Sequence, residues 1–186
     1  MVKLNARELR TYEKDQVDQK NKKDKIKKNP IYIILDNVLD TYNIGSIFRL
    51  ADAVAAEKII ICGQSEVPPN TRIKKASINT TVWVEWEYIS TAVEAISKLR
   101  REIGGIRVIG IEQGEKSVLY TEVKLEFPMA LVVGNETNGI SQGVLDVCDQ
   151  MVEIPMWGVN KSLNVMVSLA IVLYKIMEDA QTSFAP

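Results

Sequence analysis

Short apolar runs alternate with amphipathic stretches along most of the chain, from residue 29 onwards. The apolar runs are rich in β-branched side chains, which is typical of buried strands. The predicted strands are Ile31–Leu35, Lys58–Cys62, Val82–Tyr88, Arg107–Ile111, Met129–Val133 and Met151–Ile154. The predicted helices are Ile44–Ala55, Thr91–Ile103, Ser141–Val147 and Ser162–Asp179. This alternation predicts an α/β fold with a mainly parallel sheet flanked by helices.

The first 28 residues differ from the rest in charge. Residues 1–28 hold 10 Lys and Arg against 5 Asp and Glu, whereas residues 29–186 hold 13 against 19. Because Asn29-Pro30 marks a boundary, we predict a basic polar arm or helix at 1–28 and one globular domain at 29–186. The arm is either a phosphate-binding segment or a solvated tail. A long loop is predicted at Gln64–Thr80, and it carries Arg72, Lys74 and Lys75.

Composition excludes several classes of protein. The chain has 186 residues and no histidine, which removes Ser–His and Cys–His catalysis and most zinc chemistry. Cys62 and Cys148 form neither a disulfide framework nor a metal-ligand cluster, so we expect no metal and a reducing, cytoplasmic location. No apolar run is long enough to span a membrane. Since G-x-G-x-x-G and P-loop signatures are absent, a dehydrogenase, a P-loop enzyme and a Rossmann-type methyltransferase are disfavoured.

Three loops follow predicted strands, where ligands bind in open α/β sheets. In the first loop Asn43 is expected to cap a helix, on which Gly45, Arg49 and Asp52 share one face. One interpretation is that a ligand passes close to the backbone at Gly45, with Arg49 beside it. The alternative is that Arg49 only pairs with Asp52 on a solvated surface.

The second loop is Gly134–Ile140 and the third is Ile154–Asn164. The second is either a simple turn at Asn138-Gly139 or a loop whose Glu136 carboxylate orients a ligand. In the third, Ser162 is expected to cap the last helix. Asn164 is expected in the first turn of that helix, where a buried amide needs partners.

Taken together, these loops resemble motifs of the SPOUT superfamily of knotted RNA methyltransferases, in its TrmH/SpoU branch. The matching motifs are Asn43-x-Gly45-x-x-x-Arg49, Gly134-x-Glu136-x-x-Gly139-Ile140, and Ile154-Pro155-Met156-x-Gly158 with Ser162-Leu163-Asn164-Val165. The resemblance runs from about Ile31 to Met177. The chain departs from the family pattern at Lys161, Met166 and Asn79, where an acidic residue, Ser and Gly are usual.

The resemblance implies a C-terminal trefoil knot, S-adenosylmethionine as methyl donor, a homodimer, and methylation of a ribose 2′-hydroxyl of RNA. The catalytic residues that it implies are Asn43, Arg49, Glu136, Ser162 and Asn164. It places the cofactor at Ile111, Glu112, Val133, Gly134, Ile154, Met156, Ser162 and Leu163. Arg72, Lys74, Lys75 and the basic arm are candidate phosphate contacts. Arg49 would either accept the hydroxyl proton or stabilise the developing alkoxide as a cation.

We expect tRNA as the substrate, since no added RNA-binding domain is present. The alternatives are methylation of ribosomal RNA, a catalytically silent RNA-binding relative, or a flavodoxin-like nucleotide-binding module. The homodimer is also expected from the last helix, which carries two apolar stripes. Of these two stripes, we expect the one that contains Leu169 and Val172 to meet the partner chain. In the second loop, we expect Glu136 either to orient a loop or to bind Arg49.

Overall fold

The apolar runs of the sequence become the strands of a seven-stranded sheet in the computed structural model, which describes residues 3–12, 27–123 and 126–183. Every pair of neighbouring strands in this sheet is parallel. The strands are β1 (Asn29–Asp36), β2 (Ala56–Cys62), β3 (Trp86–Ile89), β4 (Arg107–Ile111), β5 (Val118–Leu119), β6 (Met129–Val133) and β7 (Gln150–Glu153). The predicted fold class, an α/β domain with a parallel sheet, is confirmed.

Helices cover both faces of this sheet. They are α1 (Ala6–Leu9), α2 (Thr41–Ala53), α3 (Thr71–Ser77), α4 (Ala92–Glu102), α5 (Gln142–Leu145) and α6 (Val165–Ser183), with a short 3-10 helix at Thr80–Val82. Buried residues of α2, α3 and α6 join one side chain cluster, and those of α4 and α5 join a second. In β1, Ile33 and Leu35 belong to the first cluster and Ile34 to the second. Because both faces are covered, the strand is apolar at consecutive positions.

The strand order places the functional loops side by side. The order is β3-β2-β1-β6-β4-β7-β5, so β1 lies between β2 and β6. The chain therefore reverses its direction of travel across the sheet beside β1. In open parallel sheets, ligands bind outside the carboxyl ends of the strands at such a reversal. The first loop follows β1, the second follows β6 and the third follows β7.

Several predicted boundaries were wrong. The region predicted as one long loop contains α3, which begins after Asn70, whose side chain accepts hydrogen bonds from the amides of Arg72 and Ile73. The strand predicted at Val82–Tyr88 is a 3-10 turn followed by β3, and β5 was not predicted. The last helix begins at Val165 rather than Ser162, because the preceding residues form an extended loop over the carboxyl end of β7.

The first part of the basic arm is a short helix attached to the domain. Asn5 and Glu8 form a capping box around α1, in which each side chain accepts a hydrogen bond from the other's backbone amide. Residues 13–26, the larger part of the predicted arm, lie outside the described residues. Among the described helices, none is both long enough and apolar enough to cross a membrane.

Candidate active site

The three predicted loops meet through a chain of side chains that starts at Glu136. Its carboxylate accepts hydrogen bonds from the backbone amides of Leu39 at 3.1 Å and Asp40 at 3.0 Å. It also accepts one from Asn43 Nδ2 at 3.0 Å. The second loop is thereby fixed to the beginning of α2. Both roles expected for Glu136, orienting a loop and binding Arg49, stay predictions.

Asn43 continues this chain to the third loop. Its Oδ1 accepts a hydrogen bond from Asn164 Nδ2 at 3.0 Å. Asn164 Oδ1 in turn accepts one from the amide of Met166 at 2.9 Å, which caps the beginning of α6. The amide of Asn43 is therefore fixed between the other two loops. We call the Glu136–Asn43–Asn164 series the amide chain.

The capping roles predicted for these residues were assigned to the wrong positions. Asp40 rather than Asn43 caps α2, and its side chain accepts a hydrogen bond from the Tyr42 amide at 2.7 Å. Asn43 is inside the helix and only 6% exposed. Asn164 precedes α6 and caps it, and it is exposed rather than buried as expected. Ser162 lies in the exposed loop before it, with its amide donating to Asn160 Oδ1.

The amide chain also sets the charge of Glu136. Burial by itself would raise the pKa of this carboxyl group. The hydrogen bonds donated by Asn43 and by the amides of Leu39 and Asp40 outweigh burial, so the pKa is lowered. Glu136 is consequently ionised at neutral pH and acts as an acceptor for three donors.

The two glycines of the second loop are required by close backbone and side-chain contacts. A Cβ on Gly134 would lie 2.2 Å from the carbonyl carbon of Gly139 and from the amide nitrogen of Ile140. Gly139 has a φ of +68°, and a Cβ there would lie 2.3 Å from the Glu112 carboxylate. That carboxylate accepts a hydrogen bond from the Ile140 amide at 2.9 Å. Glu112 thus ties the end of β4 to the second loop.

Gly45 permits contact between two helices. A Cβ on it would lie 2.6 Å from Ala76 Cβ and 2.7 Å from the Ile73 carbonyl oxygen, both in α3. The close approach that the sequence indicated is therefore the backbone of α3 and not a ligand. This corrects the ligand interpretation of Gly45.

A cavity of about 420 Å³ opens beside the amide chain, at the carboxyl ends of β4, β6 and β7. All eight residues predicted to bind a cofactor line it: Ile111, Glu112, Val133, Gly134, Ile154, Met156, Ser162 and Leu163. Glu136 and Asn164 line the same cavity. The cavity also contains Gln113, Asn160 and Lys161, which lie within the stretches Ile109–Gln113 and Ile154–Leu163 where backbone contacts with the donor were expected. Asn135 and Glu153 line it as well and were not predicted. Their shared signal is a position at the carboxyl end of a strand, which many unrelated polar residues also have.

Asp36 is a buried carboxylate that the sequence reasoning did not single out. It is 2% exposed, and its Oδ2 accepts a hydrogen bond from the Ser141 amide at 2.8 Å. Its Oδ1 accepts one from Asn37 Nδ2 at 2.9 Å. Asp36 thereby fixes the segment after the second loop to the end of β1. The sequence offered one signal for this role, which is that Asp36 directly follows the apolar run Ile31–Leu35.

Arg49 lies apart from these residues. It is exposed on α2 and is not among the residues that line the cavity. Within the described parts of the chain it forms no ion pair, so the predicted alternative of a pair with Asp52 is not seen. The basic residues Arg72, Lys74 and Lys75 are exposed on α3.

The cysteines do not contribute a reactive thiolate. Burial raises the pKa of Cys62 to about 12 and that of Cys148 to about 11. Both thiols are protonated at neutral pH, and a protonated thiol is a poor nucleophile. Across residues 3–12, 27–123 and 126–183, no cluster of three Cys, Asp or Glu side chains is arranged to hold a metal ion.

Comparison with known proteins agrees with this geometry. Residues 30–174 match the family model described as the SpoU rRNA Methylase family. A 23S rRNA (guanosine-2'-O-)-methyltransferase RlmB of Ralstonia nicotianae is 31% identical over 163 residues, covering 88% of this chain and 64% of that protein. The chain spans 57–64% of the length of the first curated relatives that it matches.

Solved structures give the same fold. The A. aeolicus TrmH/SpoU tRNA modifying enzyme superposes with a TM-score of 0.78 at 24% identity, covering 90% of this chain and 85% of that one. The SpoU methyltransferase AviRb from Streptomyces viridochromogenes in complex with AdoMet has a TM-score of 0.76 at 25% identity, covering 84% and 63%. The family match includes all three loops and the amide chain that joins them. The chain therefore belongs to the SpoU methylase family.

Proposed function

We propose that this chain transfers a methyl group from S-adenosylmethionine to a ribose 2′-hydroxyl of RNA. The observation that carries the proposal is the amide chain, because it joins all three loops at one cavity. Glu136 and Asn164 line that cavity, and Asn43 connects them. Family membership and the AdoMet complex of AviRb support the choice of donor.

The cavity suits S-adenosylmethionine in size and in chemistry. Its volume of about 420 Å³ is within the range of pockets that hold ligands of this size. Apolar side chains, including Ile111, Val133, Ile154 and Leu163, provide contacts for an adenine ring. Gln113, Glu153 and Asn160 provide polar partners for a ribose and an amino acid group. We further propose that the loops around this cavity form the trefoil knot that the family resemblance implies.

The proposed chemistry requires positioning and charge stabilisation. S-adenosylmethionine, when bound, supplies a methyl group on a positively charged sulfur for transfer to a ribose oxygen, which loses its proton. The amide chain holds the loops around the reacting groups in one arrangement, which is the main contribution a site of this kind makes. Ser162 and Asn164 lie at the cavity edge, where their polar atoms reach a ribose.

Arg49 requires a second copy of the chain to reach such a site. It is exposed on α2 and does not line the cavity of its own chain. Since α2 packs against α6, a partner seated on α6 would also reach α2. We propose a homodimer in which Arg49 of one protomer acts at the cavity of its partner. There it stabilises the developing alkoxide, holds the neighbouring phosphate, or accepts the proton.

Exposed apolar side chains support this dimer. Val167 and Tyr174 on α6 are 37% and 56% exposed, and Trp157 in the third loop is 90% exposed. Leu169 and Val172, expected to face a partner, are fully buried in their own chain. The outer face of α6 instead carries Val167 and Tyr174, while Leu173, which was assigned to the same stripe as Val167, is also fully buried. Large apolar side chains exposed around one site are typical of a protein interface.

We propose tRNA as the substrate, with ribosomal RNA as the alternative. The test uses tritium-labelled S-adenosylmethionine with purified tRNA and, separately, purified rRNA that lack the modification. Label in tRNA supports methyl transfer to tRNA, and label in rRNA alone supports the alternative substrate. The absence of label in both, from a folded protein that binds the donor by calorimetry, would favour the catalytically silent relative.

A further inference from the structure

The N-terminal segment, residues 3–12, is attached to the domain by one buried amide. Asn79 Nδ2 donates hydrogen bonds to the carbonyl oxygens of Leu9 at 3.0 Å and Tyr12 at 2.9 Å. Asn79 is only 4% exposed. Its side chain thus binds one carbonyl group at the end of α1 and one three residues beyond it.

An aromatic contact holds the same segment next to this amide. The rings of Tyr12 and Trp83 meet edge to face, with centroids 5.4 Å apart and planes at 64°. Trp83 follows the 3-10 helix that begins after Asn79. Since Asn79 and Trp83 both contact residues 9–12, the end of the segment has two independent attachments on one short stretch of the domain.

These attachments link the N-terminal segment to the end of α3, and both elements carry exposed cations. Arg7 and Arg10 are exposed on the N-terminal segment, on either side of Leu9. Lys74 and Lys75 are exposed in the last turn of α3, and the backbone amide of Asn79 donates to the Lys74 carbonyl oxygen at 3.3 Å. Asn79 is thus bonded to α3 by its backbone and to the N-terminal segment by its side chain.

The cations lack anionic partners within the described residues. Among the described residues, none of Arg7, Arg10, Lys74 and Lys75 forms an ion pair. Arg72, one turn before Lys75 on α3, is exposed and also unpaired within the described ranges. Several exposed cations with no partner on neighbouring segments form a surface suited to phosphate groups.

We propose that Asn79 is a positioning residue that joins the N-terminal segment to α3, so that Arg7, Arg10, Arg72, Lys74 and Lys75 bind the phosphates of one RNA. This rests on the proposed function, because it assigns a binding surface to the same RNA substrate. The inference gives a reason for asparagine at a position where the family usually has glycine. The φ of Asn79 is +67°, which glycine and asparagine both tolerate, but only asparagine has an amide to bind Leu9 and Tyr12.

The test compares Asn79→Gly with Arg7→Gln/Arg10→Gln and with the three changes combined, all in the full chain. Glycine keeps the left-handed backbone of Asn79 and removes its two side-chain hydrogen bonds to the N-terminal segment, while the ring contact between Tyr12 and Trp83 is left in place. The control is Arg101→Gln, an exposed arginine on α4 that lies across the sheet. Binding of purified tRNA is measured by fluorescence anisotropy over a range of salt concentrations, and binding of S-adenosylmethionine by calorimetry.

We expect Asn79→Gly and the double arginine variant each to weaken tRNA binding about three- to tenfold. Each should also reduce the salt slope, which is the slope of the logarithm of the binding constant against the logarithm of salt concentration, by about 1 to 2. The combined variant is expected to bind tRNA as tightly as the double arginine variant does, because Asn79 acts through those arginines. The affinity for S-adenosylmethionine is expected to stay at the wild-type value in every variant. The Arg101→Gln control is expected to bind tRNA as the wild type does. Wild-type tRNA binding and salt slope in Asn79→Gly would overturn this inference alone. A wild-type protein that binds neither tRNA nor rRNA would overturn the proposed function as well.

Discussion

Asn164 donates a hydrogen bond to Asn43 at 3.0 Å, although 121 residues separate them in the sequence. Asn43 in turn donates to Glu136, which is 93 residues away. Three loops from distant parts of the chain are therefore held by two side-chain contacts. A site built in this way depends most on Asn43, because its loss removes one hydrogen bond from each of the other two members.

Asn43→Ala should destabilise the protein and disorder the site. Asn43 is nearly buried, and its removal leaves both Glu136 and Asn164 short of a hydrogen bond. We expect the free energy of unfolding to fall by about 1–2 kcal/mol, the usual contribution of hydrogen bonds to a charged and a neutral group, because Glu136 and Asn164 are exposed and can bind water instead. Urea denaturation measures this loss. Asn138→Ala is the control, since Asn138 is exposed in the turn of the second loop. An equally small loss of unfolding free energy in both variants would show that the amide chain contributes nothing to stability.

Glu136→Gln should remove a pH-dependent part of the stability. The folded protein lowers the pKa of Glu136, so its contribution is present above the unfolded pKa and is lost as the pH falls through the folded pKa. The wild type should therefore exceed the variant in unfolding free energy at pH 7, and the difference should shrink below about pH 4.

The size of this difference should be modest, on the order of 1 kcal/mol or less, because Glu136 is partly solvated. Denaturation of both proteins at several pH values measures it, with Glu85→Gln, an exposed carboxylate, as control. A difference that grows as the pH falls from 7 to 4 would have the wrong sign for the structure.

Gly45→Ala should destabilise the packing of α2 on α3. The new Cβ would lie 2.7 Å from the Ile73 carbonyl oxygen, and a backbone atom cannot move aside cheaply. We expect a loss of about 1–3 kcal/mol, which exceeds the helix-propensity gain of about 1 kcal/mol. Gly143→Ala is the matched control, because its nearest neighbour is Val93 Cγ2 at an ordinary 3.6 Å. Thermal unfolding distinguishes the two, and a Gly45→Ala protein as stable as wild type would refute the packing role.

The sequence predicted the strands well where both faces of the sheet are covered. The bounds of β4 and β6 agree with the predicted Arg107–Ile111 and Met129–Val133. Continuous apolar runs between turns leave little choice of structure. The helix α3 was missed because it has seven residues and follows Pro68-Pro69, with only Ile73 and Ser77 buried. A segment that short has no clear helical period.

The contacts of the site were not predictable from the residues alone. The pairing of β1 with β6 brings Glu136 to Asn43, and that pairing depends on crossovers that no local pattern reveals. The resemblance supplied the list of cavity residues, but it did not place Asn43 within a helix. The trefoil knot and the homodimer, which the resemblance also implied, stay predictions.

Val167→Asp should separate the proposed dimer into folded monomers. Val167 is on the outer face of α6, so a charge there disrupts a partner contact without entering the core. Leu169→Asp is the contrasting variant and should fail to fold, because Leu169 is fully buried. Light scattering and circular dichroism at micromolar concentration measure mass and folding. A wild-type mass of one subunit would refute the dimer.

Arg49→Ala should nearly abolish methyl transfer and leave donor affinity unchanged, because the proposed role of Arg49 at the partner's cavity is to contact the RNA rather than the donor. Arg49→Lys should also be severely impaired if the planar guanidinium holds a phosphate and a hydroxyl together, or if it accepts the proton. Single-turnover transfer and calorimetry separate the two effects. High activity in the lysine variant would reduce the role of Arg49 to positive charge, and high activity in the alanine variant would remove it from the site.

The position of the methyl group on the RNA tests the central claim most directly. The RNA that receives tritium from labelled S-adenosylmethionine is digested completely with alkali. A methylated 2′-oxygen cannot attack the neighbouring phosphate, so the linkage next to it survives. We predict that the label appears in an alkali-resistant dinucleotide that yields a 2′-O-methylated nucleoside. Label recovered in mononucleotides, on a base, would contradict ribose methylation, and the absence of label in tRNA and rRNA alike would contradict methyl transfer to either RNA.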